Sequence, residues 1–104
     1  MEVKVKNPRL VSAYSGRALA RQASGDLAGA IADYDSAISI FPNLAMPHMD
    51  RGLALLARAE QAEADREFQR CLALDAKLKS LLEKRVEKLK QDHAAAQKRP
   101  TAWE

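Results

Sequence analysis

The chain of 104 residues is most informative first in what it lacks. It has one cysteine, Cys71, so no disulfide can form within it. That cysteine reads as a small buried hydrophobe, with a reactive thiol as the alternative. Aromatic residues make up only 5% of the chain, against 47% for all apolar types. A core drawn from that set rests on small side chains that let helices approach closely. The two histidines, His48 and His93, stand 45 positions apart, and no His-x-x-x-His or Cys-x-x-Cys occurs, so a zinc site lacks ligands. The four glycines are scattered at positions 16, 25, 29 and 52, which excludes a phosphate-cradling loop. Asp33 and Asp35 point to different faces of a helix and read as solvated surface. No apolar run approaches the roughly 18 residues that cross a bilayer. The opening MEVKVKNPRL has no apolar core of a secretion signal. A cytoplasmic protein without cofactor or catalytic machinery is the expectation that these absences leave.

What is present is periodicity. The stretch GDLAGAIADYDSAISIFP, residues 25–42, reads as a turn, an amphipathic helix and a stop. Gly25 tolerates positive φ at a helix end, Asp26 can cap the next helix, and Pro42 blocks its continuation. Small or apolar residues recur at Ala30, Ile31, Tyr34, Ala37 and Ile38, which is helical spacing. The pattern returns 34 residues later: Ala30 becomes Ala64, Tyr34 becomes Phe68, Ala37 becomes Cys71 and Ile38 becomes Leu72. The preceding helix recurs at the same offset, with Arg17 and Arg51, Ala18 and Gly52, Ala20 and Ala54, Ala23 and Ala57.

Two helices per 34-residue unit is the pattern of tetratricopeptide repeats, which the chain resembles from about Val11 to Ala76. The resemblance implies an all-α fold: a short right-handed solenoid of two helix-turn-helix repeats and a C-terminal capping helix. The repeats are expected at 10–44 and 45–77, and the cap at 78–98. Residues 1–9 would be a tail or the remnant of an earlier repeat, and 99–104, with Trp103, a frayed tail. Arg21 stands where the family usually has tyrosine, a departure that weakens the local packing unless its stem lies along the surface with its head in water. Ala59 stands where the turn usually has glycine. Pro47 is tolerable only in the first turn of its helix.

The resemblance also implies a function. In such arrays the first helix of each pair lines a concave groove that binds a peptide or a partner helix. Carried onto this chain, the groove comprises Ser15, Leu19, Met46, Met49, Asp50, Leu53, Leu56 and Lys84, centred on Met49 and Leu53. Its middle is apolar, and methionines suit adaptable contact. Cochaperone members of the family grip acidic peptide tails with a set of Lys, Arg and Asn residues. The corresponding positions here are Ser15, Leu19, Asp50, Ser80 and Lys84. Only Lys84 has a suitable charge, and Asp50 would repel a carboxylate, so that activity is rejected.

Two other readings remain. One is a homodimer paired through the uncovered side of the first helix, including Val11. The other is binding to nucleic acid or an anionic surface. Residues 77–99 hold eight Lys/Arg and three Asp/Glu, a net of +5 in a chain whose total is +3. Against it, Glu83, Glu87 and Asp92 interleave with the bases and no aromatic platform accompanies them.

Overall fold

The computed structural model describes residues 7–97. Among them the fold is all-α, with no strand. The elements are α1 (Pro8–Ala23), α2 (Leu27–Ile40), α3 (Ala45–Ala57), α4 (Gln61–Leu74), a 3₁₀ turn (Ala76–Leu78) and α5 (Lys79–Gln97). The bounds of α2 and α4 differ by 34 at both ends.

Each boundary has a local cause. The Asn7 side chain accepts a hydrogen bond from the Arg9 backbone at 2.9 Å, and Pro8 occupies the first turn, where its missing N–H has no intrahelical partner. Helix α1 therefore begins two residues earlier than the repeat pattern implies. The expected segment 1–9 thus divides, since residues 8 and 9 are helical and residues 1–6 lie outside the described residues. So does the expected tail at 99–104.

Helix α1 ends with Gly25 at φ 90°. There the Asp26 amide bonds the Arg21 carbonyl at 2.8 Å and the Gly25 amide bonds that of Gln22 at 3.1 Å. Asp26 then caps α2 through the Gly29 amide at 2.9 Å. Helix α3 ends in the same way without a glycine. The Glu60 amide bonds the Leu55 carbonyl and the Ala59 amide that of Leu56, both at 2.9 Å, with Ala59 at φ 63°. Beyond α4, the Asp75 side chain accepts from the Lys77 amide and caps the 3₁₀ turn, which runs into α5 without a loop.

Helix α1 packs on α2, α2 on α3, and α3 on α4, while α5 returns to α3. The interior has two centres. Ala18, Ala30, Ile31, Tyr34, Ala54, Leu55 and Ala64 form one. Met49, Cys71 and Leu82 form the other, which α5 closes. Phe68 packs against both. Helices α3 and α4 meet closely because Gly52 has no side chain: a Cβ there would lie 2.5 Å from the Phe68 ring.

Buried charges tie the helices together. Asp33 is buried, not solvated as the sequence reading has it. It takes Arg17 Nη2 at 2.6 Å and Arg21 Nη1 at 3.2 Å. The Arg21 head is thus bound rather than free in water, because an unpaired carboxylate between two helices would be costly. One repeat on, Arg51 approaches Glu67 at 3.3 Å and reaches back to Asp35 on α2. His48 fills the position of Tyr14 and is buried. Its Nδ1 lies 2.7 Å from Glu67 and its Nε2 lies 2.8 Å from the Pro42 carbonyl. A carbonyl only accepts, so Nε2 carries a proton and anchors the loop between the hairpins.

Candidate functional site

Helices α1, α3 and α5 share one side of the molecule, where two clefts lie. The larger, about 380 Å³, opens between the N-terminal halves of α1 and α3 and the 3₁₀ turn that leads into α5. Its walls include Val11, Ser15, Leu44, Met46 and Leu78, with Asp50 and Asp75 as its acidic members. The smaller, about 190 Å³, is lined by Gln22 of α1, Leu53 of α3, and Arg85, Lys88, Leu89 and Asp92 of α5. Arg85 Nη1 lies 3.3 Å from Asp50 Oδ1, so an ion pair stands between the two clefts.

The expected groove residues do not all meet here. Ser15, Met46 and Asp50 line the larger cleft, and Leu53 the smaller. Leu19 is 55% exposed and lines neither. Met49, the expected centre, is fully buried against Cys71 and Leu82. The physical reason is α5: its Leu82 needs an apolar seat, and Met49 supplies one. Leu56 packs against the first core centre and edges a separate cleft with Ala59, Leu89 and His93. Lys84 stands on a shallow surface formed by α5 alone, beside Glu83, Glu87 and Gln91. The C-terminal wall is therefore Arg85, Lys88 and Leu89.

Val11, Leu44, Ala45, Pro47, Asp75 and Leu78 of the larger cleft, and Arg85, Lys88, Leu89 and Asp92 of the smaller, are the residues that groove reasoning passed over. Two signals pointed to some of them. Leu44 and Leu78 are one repeat apart, and Arg85 continues the series Arg17, Arg51.

The electrostatics of the face centre on Asp50. Burial pushes its carboxyl above the ordinary range, and Arg85 opposes that shift only in part. Burial likewise pushes up the Cys71 thiol, with Asp75 and Asp50 adding to the effect, so thiolate is disfavoured there. Among the described residues no group of three His, Cys, Asp or Glu side chains is placed to hold a metal ion. Nor is any described helix long and apolar enough to cross a membrane.

Comparison with known proteins adds no relative: no family model, curated protein or solved structure matches the chain.

Proposed function

We propose that the chain is a non-catalytic recognition module, built as two tetratricopeptide-like hairpins and a cap. It docks a peptide or partner helix on the side shared by α1, α3 and α5. The observation that carries this reading is the pair of clefts on one side, each lined by residues from α1, α3 and the C-terminal segment that includes α5. Met46, Leu53 and Leu78 are only half-buried there, so a partner has apolar surface left to cover. The repeat resemblance supports the same side for binding.

The test is selection of displayed peptides on the wild type, then titration against Leu53→Glu. Selected peptides should bind the wild type and lose affinity for Leu53→Glu, with helicity and melting unchanged. Failure to select any peptide, or equal affinity for both proteins, removes this reading.

Self-association is the second reading, and it now rests on Leu10 of α1, which is 47% exposed. Val11 no longer serves it, being buried. Sedimentation across a concentration series separates the two, because only pairing makes the mass rise with concentration. The basic last helix has less to recommend it, since Glu83 and Glu87 share the α5 surface with Lys84 and Lys88.

A further inference from the structure

We infer that the larger cleft seats an apolar peptide segment bearing a lysine or arginine, whose cationic head lies beside Asp50 and Asp75. This rests on the docking reading above and names the chemistry of its occupant. Three observations carry it.

The first is composition. Val11, Leu44, Met46 and Leu78 give the cleft apolar walls, while its two charged members, Asp50 and Asp75, are both acidic. An occupant complementary to that set is apolar along its body and positive at its head. A neutral occupant would bury the carboxylates further without adding compensation, and an acidic one would add repulsion.

The second is how little compensation the two carboxylates have. The Asp50 side chain is only 13% exposed, and its one ion pair, with Arg85, is 3.3 Å long. Its carboxyl is raised by burial, which marks a charge still short of counter-charge. The Asp75 side chain accepts one hydrogen bond, from the Lys77 amide, and makes no ion pair among the described residues. Both line the same cleft, so a cation entering it meets acidic side chains while Arg85 keeps its place beside Asp50.

The third is position. Arg85 stands on the far side of Asp50, in the smaller cleft. A cationic head entering that second cleft would meet Arg85 and Lys88 with only Asp92, already paired with Lys88, to offset them, so the acidic end of the face is the one that accepts it. Met46 and Leu53 lie seven residues apart on α3, about 10 Å, which three to four residues of extended chain can cover.

The experiment uses three blocked peptides labelled for fluorescence anisotropy. They share the body Val-Leu-X-Val-Leu-Val-Ser and carry lysine, norleucine or glutamate at X. The lysine peptide should bind about tenfold tighter than the norleucine peptide at low salt, and the gap should shrink as salt rises. The double variant Asp50→Asn, Asp75→Asn should lose that preference, with the norleucine peptide binding at least as tightly as it does to the wild type. Equal binding of the lysine and norleucine peptides, or tighter binding of the glutamate peptide, overturns the cationic occupant and leaves docking intact. Binding of none of the three overturns both.

Discussion

Ala59 holds a backbone angle that its side chain resists. At φ 63° an L-residue costs about 1–2 kcal/mol over glycine. The two hydrogen bonds that close the end of α3 hold it there. Ala59→Gly should stabilise the protein by about 0.5–1 kcal/mol once the added freedom of the unfolded chain is subtracted. Chemical denaturation measures it; a loss of stability would mean that the turn is relaxed. Asp33 and Asp50 give opposite responses to pH. The hydrogen bond from Arg17 holds the Asp33 carboxyl below its ordinary range. Its stabilising contribution is present above the unfolded carboxyl range and is lost as pH falls through the depressed folded value. Asp33→Asn should destabilise at neutral pH, and the difference should close in acid. Asp50 is raised, so its ionisation weakens the fold as pH climbs through the carboxyl range. Asp50→Asn should raise the melting temperature at neutral pH and leave it unchanged well below that range. Melting curves across pH decide both, and a pair of variants that move together would contradict the assignment.

At the scale of helices, α5 decides which apolar residues are core and which are surface. Met49 and Leu53 lie four residues apart on α3 and read alike in sequence. The structure parts them, because Leu82 of α5 covers Met49 whereas Leu53 remains half-buried at a cleft. Met49→Ala should cost about 2–5 kcal/mol, and Leu53→Ala clearly less, by the same denaturation assay. Equal costs would mean that α5 does not close this end of the core. The α3–α4 contact offers a second handle. Gly52→Ala places a methyl against the Phe68 ring and should destabilise by about 1–3 kcal/mol despite the better helix propensity of alanine. Helix lengths and turns were legible because capping, glycine and proline act on near neighbours: Asp26 and Gly25 do in the structure what their positions imply. The burial of Met49 was not, since it depends on a helix thirty residues further on whose approach no local pattern encodes. Asp33 was missed for the same reason. Its partners are on α1, and one carboxylate in a polar-looking stretch carries no sign of them.

For the molecule as a whole, the 34-residue recurrence made an all-helical chain with two related hairpins readable in advance. The site was readable only in outline. The side lined by α1, α3 and α5 follows from the repeat, and half of the expected residues, Ser15, Met46, Asp50 and Leu53, do reach its clefts. Its division by the Asp50–Arg85 pair arises from a contact 35 residues apart, and its acidic end from Asp50 and Asp75 meeting at the larger cleft. The most direct measurement is a map of backbone amide shifts when the lysine peptide is added to labelled protein. The account predicts saturable changes at Ser15, Met46, Asp50, Leu78 and their neighbours, with the outer positions of α2 and α4 still. Changes concentrated on α2 and α4, or spread evenly along the chain, would contradict it.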